Sequence, residues 1–228
     1  GGIKSPVGFC GTNKSDPPQR VFPNMTFNEA NTVEAFIRDR LTGSDGPFEG
    51  LVGLARQGGA IYGLGWHFVG PSNLPRQPQE ALVEPYLRDA LIRLNPDIAA
   101  NPSRVDDVLY RLRAIVMGAR SDGLVKANEE FASWMLGERS MPFGPNGEHV
   151  TIRLIDFEDI EQNSFVVTQQ FTFRAGKTEK RADLVLLVNG LPLVLIEAKT
   201  PVRSSQSWLD AALQVNEDYE KNIPELFV

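Results

Sequence analysis

The stretch RADLVLLVNGLPLVLIEAK, residues 181–199, places two near-continuous apolar runs on either side of Asn189-Gly190, with an acid at the start of the first and an acid and a lysine at the end of the second. Apolar runs separated by a turn dipeptide read as two strands covered on both faces. Charges at the ends of buried strands are costly unless they meet a partner, so Asp183, Glu197 and Lys199 are the candidate functional residues. Glu197 and Lys199 are two apart and share a face of their strand. Whether Asp183 joins them depends on the turn. A two-residue Asn189-Gly190 loop pairs Val188 with Leu191 and Asp183 with Ile196, leaving Glu197 on the opposite face. A three-residue loop, or a bulge, pairs Asp183 with Glu197 and assembles all three. The functional reading therefore predicts an odd loop or a bulge, and an unbulged two-residue hairpin would contradict it.

Such a triad suits phosphodiester hydrolysis. Asp183, Glu197 and the backbone carbonyl of Ala198 offer hard oxygen ligands for Mg2+, which binds through one or two carboxylates and substrate phosphate. A metal there polarises a phosphoryl oxygen and acidifies water, while Lys199 orients the nucleophile and balances developing charge.

Outward from this hairpin, the pattern alternates with period two on the N-terminal side. Val150, Ile152 and Leu154 predict one strand, and Phe165, Val167, Gln169, Phe171 and Phe173 predict one face of another. On the C-terminal side a helix is expected from about 207 to 222, stopped before Pro224. Further upstream, apolar stripes at helical spacing predict helices over about 79–94, 103–118 and 124–137. An earlier helix opens at the capping box Thr26-x-x-Glu29 and closes at Gly43. Residues 1–25 read as an extended arm and 43–79 as Gly- and Pro-rich connection. The expected fold is an α/β layer protein with a mixed central sheet flanked by helices and an N-terminal helical extension. One domain over 26–228 is expected, helical over about 26–145 and carrying the sheet and candidate site over about 148–228.

Composition narrows the setting. The 228 residues are 42% apolar and 23% charged, with a net charge of −6, values of a soluble globular protein rather than a disordered or membrane-spanning chain. Between Phe171 and Arg203, however, six basic residues face three acids. This strip, with Arg174, Lys177, Lys180, Arg181 and Arg203, is the candidate contact to a phosphate backbone on an otherwise acidic body. Cys10 is the single cysteine, so no intrachain disulfide is possible, and with no signal-peptide pattern a cytoplasmic setting is expected.

The segments RLIDFEDIEQNSF (153–165), RADLVLLVNGLPLVLIEAK (181–199) and YEKNIPELF (219–227) together resemble the PD-(D/E)xK nuclease superfamily, and more closely the N-terminal nuclease domain of the R (restriction) subunit of type I restriction enzymes. The resemblance covers about the last third of the chain; ALVEPYLRDALIRLNP (81–96) is compatible with it. It implies a restriction-endonuclease-like core, Asp183 and Glu197 as metal ligands, Lys199 as the catalytic lysine, and Mg2+, with Mn2+ able to substitute. It further implies double-stranded DNA as substrate, modification and specificity subunits as partners, and an ATP-dependent translocase in the same full-length subunit. Ala182 stands where the motif has its namesake proline. Related nucleases place a Gln-x-x-x-Tyr element on the following helix. Here Gln214 and Tyr219 are five apart and diverge by about 140° on a regular helix, with Asp218 in the fourth position. That spacing leaves Gln214 as a candidate additional site residue only, beside the reading of an ordinary solvated helix residue. Some relatives carry a glutamate on the first helix near the metal, for which Glu34 is the candidate and Glu84 a weaker one. Two alternatives stand beside the restriction nuclease: another nuclease of the superfamily, such as a junction resolvase or repair enzyme, and a catalytically silent docking module of the same fold.

Other signals are decoys. Gly176-Lys177-Thr178 resembles the end of a phosphate-binding loop, but Phe171 stands where that motif requires glycine. Gly63-x-Gly65 lacks the third glycine of a dinucleotide site. His67, His149 and Cys10 lack zinc-ligand spacing. Trp66, Trp134 and Trp208 are expected in the core or at an interface.

Overall fold

The computed structural model describes residues 33–43, 65–199 and 208–228. In chain order the elements are α1 (Ala35–Thr42), β1 (His67–Phe68), α2 (Glu84–Leu94), α3 (Pro96–Ala100), α4 (Arg104–Ser121), α5 (Leu124–Met135), β2 (Ser140–Met141) and β3 (Val150–Thr151). The long strands β4 (Phe165–Ala175), β5 (Thr178–Val188) and β6 (Leu191–Ile196) follow. Then α6 (Trp208–Leu213) runs through a π-helical segment, Gln214–Tyr219, into α7 (Glu220–Asn222), and a 3-10 turn spans Pro224–Phe227.

A four-stranded mixed sheet, ordered β1-β4-β5-β6, carries the molecule. β1 runs parallel to β4, and the other pairs are antiparallel. One face buries Val166, Phe171, Phe173, Val185, Leu187 and Leu191 against the helices, including Leu87 and Leu91 of α2 and Val108, Leu109 and Leu112 of α4. The other face carries a smaller cluster of Val167, Leu184 and Leu186, covered by Ile37 and Leu41 of α1. The apolar run 184–188 in β5 follows from this double coverage, since none of these five positions faces water. This mixed α/β layering is the expected class.

Several boundaries differ from the periodicity. α2 starts at Glu84 rather than near 79, because Ala81, Leu82 and Val83 are buried ahead of it and Val83 N–H donates to the Gly190 carbonyl (2.9 Å). Pro85 then falls in its first turn, where no N–H is missed. β3 holds only Val150–Thr151 and pairs with β2 in a separate two-stranded sheet, while Ile152 and Leu154 enter the core without strand pairing. Phe165 to Phe173 do not mark one face: Val167 lies in the opposite cluster. The cause is Gln170, held at φ +52°, which shifts the core-facing alternation along β4 from Val166 to Phe171 and Phe173. The capping box and residues 1–32 lie outside the described residues.

Asn189 and Gly190 form the two-residue turn, both at positive φ (+52° and +85°), the combination a type I′ hairpin requires. Asn189 is fully buried. Its side-chain oxygen accepts from Ser164 N–H (2.8 Å) and Arg93 (3.1 Å), and its amide donates to the Leu154 carbonyl (2.9 Å) and Asn163 (2.8 Å). The turn thereby locks the β5–β6 hairpin to the start of β4 and to α2. Gly176-Lys177 is the equivalent turn of the β4–β5 hairpin, which removes it as a phosphate loop. Among the described residues, no helix is long and apolar enough to cross a membrane.

Candidate active site

The turn has two residues, yet the acids meet, because β6 is bulged. Leu187 pairs with Pro192 and Leu186 with Val194, so Leu193 is the extra residue. From there Leu184 pairs with Ile196, and one further step sets Asp183 against Glu197. The bulge does what a three-residue loop would have done. Asp183 Oδ2 accepts from the Ala198 N–H at 2.8 Å, which fastens the start of β5 to the end of β6.

Glu197 sits at the centre. Its side chain is 4% exposed. Lys199 Nζ is 4.0 Å from Glu197 Oε2, at the outer limit of an ion pair. Gln214 Nε2 approaches the same oxygen at 3.3 Å, while Glu197 Oε1 is buried without a hydrogen-bond partner. Burial, reinforced by the neighbouring Asp183 carboxylate, raises Glu197 to about 7 from its ordinary 4.5. Tyr219 and, to a lesser extent, Lys199 oppose that shift only partly.

The segment after the sheet differs from a regular helix in the phase that relates Gln214 to Tyr219. Residues 214–219 are π-helical, and i→i+5 hydrogen bonding brings residues five apart onto one side. Gln214 Nε2 donates to the Tyr219 hydroxyl at 2.8 Å, and that hydroxyl donates to the Arg181 carbonyl at 2.9 Å. Gln214 Oε1 accepts from Lys199 Nζ at 3.0 Å. Lys199, Glu197 and Tyr219 thus converge on one amide whose orientation their donor and acceptor roles fix. Burial and the nearby Glu197 charge push the Tyr219 hydroxyl well above its ordinary pKa, so it stays a donor. Tyr219→Phe is expected to leave the fold intact, costing about 1 kcal/mol. It should lower any metal affinity or activity of the site roughly tenfold by freeing Gln214, measured by unfolding and turnover side by side.

Glu34, buried at 3% exposure ahead of α1, accepts from Gln170 Nε2 at 2.9 Å. Gln170 falls between the pairs Gln169–Leu184 and Phe171–Ala182, opposite Asp183. Glu34 therefore lies one residue removed from the carboxylate pair, while Glu84 is taken up in an ion pair with Arg113 on the helical side.

The basic strip is partly spent on the protein itself. Arg174 pairs with Glu179 across the hairpin, and Lys180 pairs with Asp218 at 2.7 Å beneath the Tyr219 ring. Lys177 and Arg181 are exposed, and Arg203 lies outside the described residues. Of the decoys, His67 is exposed on β1, His149 contacts Ser140 (3.1 Å), Trp134 is in the core, and Trp66 packs edge-on against Phe165 (5.3 Å). Cys10, Gly63 and the Trp208 side chain lie outside the described residues. No group of three or more His, Cys, Asp or Glu side chains placed to hold a metal occurs among the described residues.

Residues 60–228 match the family described as type I restriction enzyme R protein N terminus. The chain belongs to this family. Among curated relatives, the type I restriction enzyme HindI endonuclease subunit of Haemophilus influenzae is 37% identical over 145 residues, 62% of this chain and 13% of that protein. The putative type I restriction enzyme MjaIXP endonuclease subunit of Methanocaldococcus jannaschii is 30% identical over 150 residues, 61% of this chain and 14% of that protein. The chain thus spans about one seventh of the length of these relatives. No solved structure matches it. The mixed sheet flanked by helices is compatible with a restriction-endonuclease-like fold.

Proposed function

We propose that this chain is the DNA-cleaving domain of a type I restriction enzyme R subunit, a PD-(D/E)xK nuclease that hydrolyses phosphodiester bonds with a divalent cation, Mg2+ or Mn2+. The observation that carries the reading is Glu197 Oε1, a buried carboxylate oxygen with no partner, in a site where a second carboxylate stands one residue pair away. The buried Glu197 carboxylate is disfavoured in its charged form by burial and by the facing Asp183 carboxylate, so leaving one of its oxygens unpaired is destabilising unless a cation meets it. Asp183, Glu197 and the Ala198 carbonyl are the ligands of this reading, a hard oxygen set suited to Mg2+. When bound, the cation supplies positive charge at the phosphoryl oxygens and acidifies water.

The protein's own groups do the remainder. Gln214 holds the Lys199 ammonium beside the carboxylates, where it can orient water and offset charge developing on the phosphate. Tyr219 anchors Gln214 to the β5 backbone and keeps the pair in register. The full-length subunit's ATP-dependent translocation and its assembly with modification and specificity subunits belong to the same proposal; the names of the relatives support an endonuclease subunit of a type I restriction enzyme. Intact Asp183, Glu197 and Lys199 speak for catalysis rather than for silent docking, and R-protein membership speaks for restriction rather than repair.

The test is a calorimetric titration of Mn2+ into the chain and into Asp183→Asn. The wild type is expected to bind, and the variant to lose affinity by roughly a hundredfold. Equal binding by both would remove Asp183 from the donor set.

A further inference from the structure

A second feature lies one strand away from the carboxylates, on the β4 side. A cleft of about 320 Å³ opens between the Pro71–Pro78 loop and the Thr168–Thr172 stretch of β4, lined by Ser72, Arg76, Thr168 and Gln170 among others. Thr168 is wholly buried, and its hydroxyl has no hydrogen-bond partner. The Arg76 guanidinium stacks 3.8 Å from the centre of the Phe171 ring. It donates to the carbonyls of Glu80 (2.9 Å), Thr172 (2.9 Å) and Pro78 (3.4 Å). Among the described residues it forms no ion pair with a carboxylate. Three carbonyls engage three of the five N–H donors that a guanidinium carries, so two donors remain without a protein partner, and the charge is met only by the Phe171 ring and, at longer range, by Glu80. Burial lowers Arg76 to about 10, which Glu80 offsets only in part.

A guanidinium with no carboxylate ion pair, a buried hydroxyl with nothing to bond, and a planar fork suited to two oxygens together describe a receptor for a tetrahedral oxyanion. The cleft also reaches Gln170, the residue opposite Asp183 in the β4–β5 register, about 5 Å across the sheet. We propose that this cleft binds a phosphate group, namely one of the DNA backbone beside the bond cut at Asp183 and Glu197. This rests on the nuclease reading and extends it by a positioning contact that supplies affinity without touching the reacting atoms. Residue pattern alone concealed it, since Arg76 lies in a loop far from the basic strip.

Two variants test it. Thr168→Val removes only the unpaired hydroxyl, so it should not lower the unfolding temperature. Arg76→Gln removes the charge. Binding of a short DNA duplex is measured with EDTA present, so that strands stay intact, over a series of salt concentrations. Thr168→Val should weaken binding roughly fivefold with the salt slope unchanged. Arg76→Gln should weaken it roughly tenfold and reduce the slope of log K against log salt by about 0.9. A parallel arm measures whether inorganic phosphate, against chloride at equal ionic strength, raises the unfolding temperature of the wild type but not of Thr168→Val. Phosphate stabilisation with unaltered duplex binding in both variants would overturn the DNA assignment in favour of free phosphate, and no effect in either arm would overturn the site altogether. The carboxylate centre is judged separately: loss of cleavage in Lys199→Ala with an unchanged slope in Arg76→Gln would sink this cleft and leave the nuclease reading standing. A shifted slope alongside full cleavage by Lys199→Ala would do the reverse.

Discussion

Glu197→Gln is expected to raise the unfolding temperature of the metal-free chain at about pH 8 by several degrees while abolishing DNA cleavage. In the folded protein the Glu197 carboxyl is raised to about 7 from an ordinary 4.5 by burial and by Asp183. The folded state therefore holds this proton more tightly than the unfolded chain does. The stability it contributes is fully present below about 4.5 and is lost as pH rises through about 7. At about pH 8 the folded chain carries an ionised, buried and partly unpartnered carboxylate, and an isosteric neutral amide should recover about 1–3 kcal/mol. For a chain of this size that corresponds to roughly 3–10 °C. At about pH 4 the gain should vanish, because the wild type is then protonated in both states. Saturating Mg2+ should close the gap at about pH 8 from the other side, by stabilising the wild type alone. A variant less stable than the wild type at about pH 8 without metal would show that Glu197 is already satisfied, and the argument from its orphan oxygen would fail.

Gly190→Ala is expected to destabilise the chain by about 3–5 kcal/mol, lowering its unfolding temperature by roughly 10 °C. Gly190 has φ +85°, and a Cβ there would lie 2.5 Å from the Val83 carbonyl oxygen and 3.0 Å from the Leu87 nitrogen. Both contacts are backbone of the start of α2, so no rotamer relieves them. The displaced turn would also break the bond from Val83 N–H to Gly190. The consequence reaches the site: the turn sets the β5–β6 register, and the register sets Asp183 against Glu197. Equilibrium unfolding in urea checks this, and a loss below about 1 kcal/mol would mean that α2 yields freely.

These residues also mark how far the sequence could be read. The 181–199 hairpin was legible because its apolar runs, its Asn-Gly turn and its terminal charges are all local signals. The arithmetic of register showed that some irregularity must bring the acids together, but the turn chemistry could not say where. Leu193 supplies it inside β6, at a position with no marker such as glycine. The helix after the sheet was legible as a helix and misread in its phase. Gln-Val-Asn-Glu-Asp-Tyr carries no pattern that separates π from α winding, and only the hydrogen bonds among Lys199, Gln214 and Tyr219 reveal it. The basic strip failed differently. Composition counts charges without their partners, so Arg174 and Lys180 looked available although Glu179 and Asp218 hold them. Phe165, Val167, Gln169, Phe171 and Phe173 read as one alternating face because no local signal marks the left-handed backbone of Gln170, whose side chain bonds Glu34 far away in the chain.

Asp183, Glu197 and Lys199 are proposed as a centre that cuts DNA, and nicking of supercoiled plasmid is the most direct measurement of it. The full-length subunit, assembled with its partner subunits, is compared with the same assembly carrying Lys199→Ala, in Mg2+ and with ATP. Nicking is expected to fall by about a thousandfold, with assembly and ATP turnover preserved. Undiminished nicking by Lys199→Ala would contradict the catalytic assignment.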